Sequence, residues 1–324
     1  MKEIQTQTLF MNKLIFLAGI LCALTFLNCS KNNDDPAPID EILWKKQTSG
    51  TGEVLLGVSF TDENKGYAVG TNGIIKITSD GGATWATQTS GSTRFLRDVY
   101  FNSATTGTIV GETGLILRTT DGTNWVAQTS GTTEHLVHVH FFNDAIGMAV
   151  GQGGVILKTI NGGTTWTPQI SGTTVELPGV YMLSENTAVA VGFTGKVLRT
   201  TNGGATWVSI PIDGLTSNLR SVHFSGNTGI AVSIGGKIIR TTDGGQTWTS
   251  VPGSTSDLYA VKFVDTNTIY AAGTGKIMIS KDAGLTWTSA KTDSFGSADI
   301  YGLDARGTKG WATGQGGLIL HTPG

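Results

Sequence analysis

The stretch TSDGGATW, Thr78–Trp85, brings a carboxylate, hydroxyls, two glycines and an indole together within eight residues. Such groups could form a catalytic site in which Asp80 acts as a general acid or a nucleophile. The aligned positions along the chain hold aspartate or asparagine: Asp80, Asp121, Asn161, Asn202, Asp243 and Asp282. Because asparagine does not titrate, this exchange excludes a shared acid–base role. A turn that needs a side-chain acceptor for backbone N–H groups tolerates both residues, so we interpret the motif as structural.

The tryptophan that ends the motif marks a repeat of about 41 residues. Trp85, Trp125, Trp166, Trp207, Trp248 and Trp287 are spaced 40, 41, 41, 41 and 39 residues apart, and Trp44 lies 41 residues before Trp85. Each unit holds four short apolar runs, such as LLGVSF, GYAVG, GIIKIT and WATQTSG in the first. These runs are rich in β-branched residues and are bounded by Gly, Asn, Asp and Ser, which predicts strands. Four strands in about 41 residues is the size of a propeller blade.

The two ends of the repeat region complement each other. The last unit supplies IYGLDA (Ile300–Ala305), GWATG (Gly310–Gly314) and GLILHT (Gly317–Thr322) but has no fourth run. The region begins at Trp44 with WKKQTSG, which is a fourth run without a blade before it. We therefore predict an all-β, seven-bladed β-propeller with four antiparallel strands per blade, in which the N-terminal strand closes the last blade.

The first 29 residues have the features of a bacterial signal peptide. Lys13 precedes an apolar run at residues 14–27, which is too short for a transmembrane helix and suits a signal peptide, and Met11 is a candidate true start. The run ends in FLNCS, which resembles a lipoprotein signal in which Cys29 is lipidated. Ordinary signal-peptidase cleavage, which would release a soluble product, is the alternative.

The residues after Cys29 predict a tether and a location. Residues 30–40 are polar, contain two prolines and have no apolar period, which is typical of a flexible tether. Their acidic start is similar to that of Bacteroidota lipoproteins. We expect one propeller domain at residues 41–324, held in the cell envelope as an outer-membrane lipoprotein that is periplasmic or surface-exposed.

Composition narrows the range of partners. The chain has 22 basic and 24 acidic residues among 324, a formal net charge of -2, so nothing favours a nucleic-acid partner. Its two cysteines, Cys22 and Cys29, both lie in the N-terminal segment, which excludes a disulfide framework or a thiolate metal site in the repeats. We expect a monomer without a cofactor.

The motifs also resemble a known family. The pattern S/T-x-D/N-G-G-x-T-W resembles the Asp-box, or bacterial neuraminidase repeat (BNR). The longer pattern that joins GYAVG, DGG-x-TW and Q-x-SG is similar to the photosystem II stability/assembly factor family, over about Trp44 to Thr322. The resemblance implies a seven-bladed propeller that binds and assembles membrane protein complexes without catalysis. The expected partner is a protein, such as a membrane protein complex, or a glycan.

The first strand of each blade supplies the candidate binding residues. If these strands line the axis, alternate positions form rings. One ring contains Ser59, Tyr100, His140, Tyr181, His223, Lys262 and Asp304, and the ring two residues earlier contains Gly57, Asp98, His138, Gly179, Ser221, Ala260 and Gly302. We predict ligand contacts from Arg97, Tyr100, His138, His140, Tyr181, Arg220, His223, Lys262 and Asp304. The alternative is a solvated channel wall whose polar groups are satisfied internally.

Two further hypotheses concern metals and the outer rim. His138 and His140 lie on one strand face and could hold a metal with Asp98, but histidine pairs are more often not ligands, so we predict no metal site. Basic residues precede the motif in five units, at Arg118, Lys158, Arg199, Arg240 and His321. They indicate either pairing with nearby acceptors or contact with an anionic lipid or glycan.

Glycoside hydrolysis is the competing function, because Asp-boxes occur in sialidases and xyloglucanases. That chemistry needs two carboxylates roughly 5–9 Å apart, and the best candidates are Asp98, Asp304 and Glu112. A sialidase also needs an arginine cluster, and the seven arginines of this chain share no such motif. We therefore predict that the protein is not an enzyme but a lipid-anchored binding propeller.

Overall fold

The computed structural model describes residues 43–322. The predicted signal peptide, the lipidation site Cys29 and the tether at residues 30–40 lie outside the described residues. Within the described range, no helix is both long enough and apolar enough to cross a membrane.

The described chain forms seven β-sheets, which we number as blades 1 to 7 in chain order. The chain enters through β1 (Leu43–Gln47). Blade 1 contains β2 (Leu55–Phe60), β3 (Gly66–Gly70), β4 (Ile75–Thr78) and β5 (Ala86–Gln88). Blade 2 contains β6 (Leu96–Phe101), β7 (Gly107–Gly111), β8 (Ile116–Thr119) and β9 (Val126–Gln128). Blade 3 contains β10 (Leu136–Phe141), β11 (Gly147–Gly151), β12 (Ile156–Thr159) and β13 (Thr167–Gln169).

The later blades repeat this plan with shorter outer strands. Blade 4 contains β14 (Gly179–Met182), β15 (Ala188–Val191), β16 (Val197–Thr200) and β17 (Val208–Ser209). Blade 5 contains β18 (Leu219–Ser225), β19 (Thr228–Ser233), β20 (Ile238–Thr241) and β21 (Thr249–Val251). Blade 6 contains β22 (Leu258–Phe263), β23 (Ile269–Gly273), β24 (Lys276–Ser280) and β25 (Thr288–Ser289), and β26 (Lys291–Thr292) follows. Blade 7 contains β27 (Ile300–Arg306), β28 (Lys309–Gly314) and β29 (Ile319–His321).

Short 3-10 turns join the second and third strands of six blades. They lie at Thr71–Gly73, Glu112–Gly114, Gln152–Gly154, Phe193–Gly195, Ile234–Gly236 and Gln315–Gly317. The middle residue of each turn has a positive φ, for example 54° at Asn72, which reverses the chain within three residues. These turns and the loops that enter each first strand lie at the same end of the blades.

The N-terminal strand completes blade 7. β1 pairs antiparallel with β29, and Lys45 lies opposite His321. The sheet order is β26-β1-β29-β28-β27, so the ends of the described chain close the ring and cover its open edges. This arrangement confirms the predicted seven-bladed propeller and its closure by the N-terminal strand.

A short strand beyond β1 was not predicted. β26 pairs in parallel with β1, with Leu43 opposite Lys291. Asp293 strengthens the pairing, because its Oδ2 accepts a hydrogen bond from Lys46 N at 2.9 Å and its N–H donates to Trp44 O at 2.7 Å. The segment that follows blade 6 therefore forms hydrogen bonds along the outer edge of β1, the strand that completes blade 7.

The hydrophobic core consists of layers between neighbouring blades. In one layer, Val69 and Ile75 of blade 1 pack with Leu96 and Ile109 of blade 2, and all four are buried. Strands that are buried on both faces explain why the second-strand runs are almost wholly apolar. In the closing layer, Trp44 is fully buried and meets Tyr270 edge-on, with ring centroids 5.0 Å apart.

Hydrogen bonds within the Asp-box account for the exchange of aspartate and asparagine. Asp80 Oδ1 accepts from Thr84 N at 2.9 Å, and Asp80 Oδ2 accepts from the Thr84 hydroxyl at 2.6 Å. Asn161 also accepts from Thr165 N at 2.9 Å, but its Nδ2 donates to the Thr165 hydroxyl at 2.9 Å. Because a hydroxyl can donate or accept, both residues close the same turn. The hydrogen bonds from Thr84 and Thr78 lower the pKa of Asp80 to about 2.

The basic residues before the boxes hold neighbouring blades together. Four of them donate to a backbone carbonyl in the box of the next blade: Arg118 to Gly162 at 2.6 Å, Lys158 to Gly203 at 2.7 Å, Arg199 to Gly244 at 2.9 Å and Arg240 to Ala283 at 2.8 Å. In the boxes of blades 1 and 2, the carbonyl accepts from a different side chain. Trp311 donates to Gly81 O, and Tyr67 donates to Gly122 O. His321 instead packs against the Trp311 ring. Four of the five basic residues therefore pair with nearby acceptors.

Candidate binding cavity on the propeller axis

The seven inner strands β2, β6, β10, β14, β18, β22 and β27 surround a cavity of about 820 Å³. Its wall includes all nine candidate residues: Arg97, Tyr100, His138, His140, Tyr181, Arg220, His223, Lys262 and Asp304. Strand alternation selected seven of these residues, whereas Arg97 and Arg220 were chosen from the start of their strands and lie between the alternate positions. Whether these residues bind a ligand stays a prediction.

The wall also includes residues that were not predicted, among them Tyr259, Tyr301 and Arg306. In six inner strands the pairing register shifts between the first and third residues, as it does between Leu258 and Ala260. Such a bulge brings the intervening residue, here Tyr259, to the cavity as well as the alternate positions. The signal in the sequence is the polar or aromatic residue at the second position, which Arg97 and Arg220 also occupy.

Part of the wall's polarity has a structural cause. An inner strand has no neighbour on its axial side, so N–H groups on that edge need other acceptors. Side chains of the preceding blade supply them. The pairs are Phe60 N to Asp304 Oδ2 (2.7 Å), Phe101 N to Ser59 Oγ (3.2 Å), Val139 N to Asp98 Oδ2 (2.9 Å), Met182 N to His140 Nδ1 (3.3 Å), Val261 N to Ser221 Oγ (3.4 Å) and Phe263 N to His223 Nδ1 (3.4 Å). Internal satisfaction, the alternative raised from the sequence, therefore explains many of these residues.

Four rings form a continuous aromatic wall across blades 2 to 5: Tyr100, His140, Tyr181 and His223. Successive ring centroids are 5.1, 4.2 and 4.8 Å apart. The hydroxyl of Tyr100 donates to Phe141 O at 3.0 Å. Burial raises the pKa of Tyr100 to about 12, so this phenol stays protonated. Burial lowers the pKa of both imidazoles well below 6.5, and they are neutral at pH 7.

The opposite side of the cavity carries charge. Lys262 Nζ lies 2.9 Å from Asp304 Oδ1, and Arg306 Nη2 lies 3.8 Å from Asp304 Oδ2. Burial alone would raise the pKa of Asp304, but the two cations and the N–H of Phe60 outweigh it and lower the pKa. Asp304 is therefore ionised and fully engaged.

The mouth of the cavity holds two arginines in different settings. Arg97 pairs with Glu112 at 2.8 Å. The Arg220 guanidinium lies 4.9 Å from the centroid of the Phe193 ring, and no acidic residue among residues 43–322 pairs with it. Arg220 thus adds uncompensated positive charge to the mouth.

Comparison with known proteins places this propeller in a family. The family model described as photosynthesis system II assembly factor YCF48 matches residues 37–125, 89–183 and 173–258. The chain belongs to this family. The match confirms the resemblance seen in the repeats. No curated protein sequence matches the chain significantly.

Solved structures show the same fold as this YCF48-family chain. The structure described as YCF48 bound to D1 peptide is 21% identical, covers 89% of this chain and 99% of its own, and has a TM-score of 0.71. YCF48 from Cyanidioschyzon merolae is 22% identical, covers 86% and 98%, and has a TM-score of 0.70. A catalytically inactive virginiamycin B lyase from Staphylococcus aureus, solved with Quinupristin, is 13% identical, covers 86% and 98%, and has a TM-score of 0.76. At these identities the similarity shows the fold alone.

The three carboxylates considered for catalysis in this YCF48-family chain, Asp98 and Asp304 in the cavity wall and Glu112 outside it, all interact with other groups of the chain. Asp98 accepts from Val139 N and lies 3.7 Å from His138 Nε2, while Glu112 pairs with Arg97. Burial raises the pKa of Asp98, although His138 acts against this rise. Among the described residues, no group of three or more histidine, cysteine or acidic side chains could hold a metal ion.

Proposed function

We propose that the protein is a non-catalytic binding propeller that holds a protein partner at its axial cavity. It would act as an assembly module in the cell envelope, anchored through a lipid on Cys29. Membership of the YCF48 family supports this role, and a YCF48 structure that shares the fold is described with a bound D1 peptide. The observation that carries the proposal is the cavity itself, which offers about 820 Å³ lined by aromatic and basic side chains.

The same cavity gives little support to hydrolysis. Glycoside hydrolysis needs one carboxyl that donates a proton and another that is free to attack the sugar or activate water. Asp304 is bound by Lys262, Arg306 and a backbone N–H, so it is not free to act as that second group. Glu112 is likewise paired with Arg97. Binding without catalysis therefore fits the wall better.

Capture from native membranes tests the proposal. The full-length protein would be immobilised and compared with a variant carrying both Arg97→Gln and Arg220→Gln, which changes the mouth charge at two half-buried positions. Arg94→Gln is the matched control, because Arg94 is exposed near the same mouth but lies outside the cavity wall. We expect the double variant to lose at least about tenfold of the captured partner and the control to lose none.

Two results would contradict the proposal. Equal capture by all three proteins would show that the cavity does not hold the partner. Turnover of sialosides or β-glucans by the purified protein, abolished by Asp98→Asn or Asp304→Asn, would show that the propeller is an enzyme.

A further inference from the structure

We propose that the cavity recognises a carboxylate of the partner through a row of hydrogen-bond donors on three consecutive inner strands, His140, Tyr181 and His223. Lys262, on the next inner strand, would complete the row. This inference rests on the proposed function, since it assigns the chemistry of the ligand in the same cavity.

The backbone fixes what the two imidazoles can offer. Met182 N–H donates to His140 Nδ1, and Phe263 N–H donates to His223 Nδ1. A neutral imidazole that accepts at Nδ1 carries its proton on Nε2. Neither Nε2 has a protein partner among residues 43–322, neither is sealed from solvent, and both rings line the cavity. Both imidazoles can therefore act only as donors toward a ligand.

Tyr181 lies between these imidazoles and adds a third donor. Its ring centroid is 4.2 Å from that of His140 and 4.8 Å from that of His223. Its hydroxyl has no protein partner within the described part of the chain and is not sealed from solvent. Tyr100 differs, because its hydroxyl is already bonded to Phe141 O. The backbone N–H groups of Met182 and Phe263 thus occupy the Nδ1 acceptors of the two imidazoles. The Nε2 donors of both rings and the Tyr181 hydroxyl are left facing the cavity.

The net charge of the cavity wall indicates which acceptor group of a ligand these donors would bind best. Lys262 can make three hydrogen bonds and gives one to Asp304, whose charge Arg306 also offsets. Arg220 adds a positive charge without an acidic partner among the described residues. Asp98, on the other side of the cavity, faces His138. A positive surplus with neutral donors fits an anion, and a protein partner supplies a carboxylate from its C-terminus or from Asp or Glu.

Short synthetic peptides test this chemistry with the full-length protein. The probe is N-acetyl-Gly-Phe-Gly with a free C-terminal carboxylate, and its C-terminal amide is the neutral control. N-acetyl-Gly-Phe-Glu amide and its Gln counterpart place the same comparison on a side chain. The phenyl ring is included because the aromatic wall can stack on it. We expect the carboxylate peptide of at least one pair to bind about tenfold more tightly than its neutral partner in calorimetry at fixed salt.

One hydroxyl provides the decisive variant. Tyr181→Phe removes a donor without breaking a protein hydrogen bond, so it should keep the fold and reduce the carboxylate preference by about fivefold, the equivalent of one hydrogen bond. Tyr67→Phe is the matched control, because Tyr67 lies outside the cavity wall and its hydroxyl donates to Gly122 O, and it should leave the preference unchanged. Thermal unfolding of both variants would verify that they are folded.

Three outcomes would overturn the inference. They are equal binding of acid and amide peptides, no binding of either carboxylate peptide, and an unchanged preference in Tyr181→Phe. Equal binding that is lost in the Arg97→Gln, Arg220→Gln variant would reject the carboxylate assignment while leaving the binding function in place. Loss of partner capture in that variant is measured separately, so the two proposals can fail independently.

Discussion

The ion cluster at Asp304 allows a quantitative prediction about how the ring is held closed. Asp304 lies on the inner strand of blade 7, and its side chain is 5% exposed. It accepts from Phe60 N on blade 1 at 2.7 Å and from Lys262 on blade 6 at 2.9 Å. One carboxylate therefore links three consecutive blades at the point where the chain closes on itself.

Asp304→Ala should lower the free energy of unfolding by about 3 kcal/mol, at the lower end of the cost of breaking a buried pair. The substitution leaves Phe60 N–H without an acceptor and Lys262 without its counterion. The cost stays near the lower end because Lys262 is 18% exposed and faces a cavity that water can fill. Asp304→Asn should cost only about 1–2 kcal/mol, since the amide oxygen can still accept from Phe60 N.

Urea unfolding followed by tryptophan fluorescence measures these differences, provided that the m-value is unchanged. A double-mutant cycle of Asp304→Asn with Lys262→Met should give a coupling energy of at least about 1 kcal/mol. Because the pKa of Asp304 is lowered, its contribution is present above the unfolded pKa of about 3.9 and is lost as the pH falls below it. A cost below about 1 kcal/mol for Asp304→Ala, or no coupling, would refute this account of closure.

Three further predictions concern the blades, the imidazoles and the anchor. Trp207→Ala should cost about 3 kcal/mol in urea unfolding because the half-buried indole packs against the layer between blades 3 and 4, and Val208→Ala at an exposed neighbour should cost under about 0.5 kcal/mol. Burial lowers the pKa of His140 below 6.5, so the unfolded chain takes up a proton first and stability falls below that pH by up to about 1.4 kcal/mol per unit. His140→Gln, which keeps an acceptor for Met182 N, should reduce the slope measured between pH 6.5 and 5, and an unchanged slope would contradict the assignment. Cys29→Ala should move the protein from the membrane to the soluble fraction and abolish labelling with a radioactive fatty acid, whereas unchanged fractionation would reject the lipid anchor.

The architecture could be predicted because each blade repeats one local pattern. The Asp-box fixes the turn between the third and fourth strands, and its spacing sets the blade size. Closure of the ring was predicted from two observations at the ends of the repeat region. The fourth-strand run at Trp44 has no blade before it, and the last blade has no fourth-strand run of its own. β26 could not be predicted, because Lys291–Thr292 is too short to show an apolar alternation and its partner β1 comes from the other end of the repeat region.

The cavity was predicted less completely, and the reason is geometric. Alternation with a period of two places Tyr100 and His140 on the axial face, and the structure agrees. Bulges add the second position of six inner strands, and a single sequence does not reveal that local change of register. Arg306 was missed because β27 extends one residue beyond the predicted run that ends at Ala305.

Polar side chains line the propeller axis for two different reasons, and only the hydrogen bonds of the structure distinguish them. Asp98 and Ser59 accept from N–H groups of the next inner strand, so replacing them with apolar residues would leave buried donors without partners. Tyr181 and Arg220 accept no such hydrogen bond within the described chain, so replacing either with an apolar residue would leave no backbone N–H without its acceptor. Donors that line the cavity and that the fold does not require, as at these two positions, are therefore where a role in ligand binding has the strongest physical case.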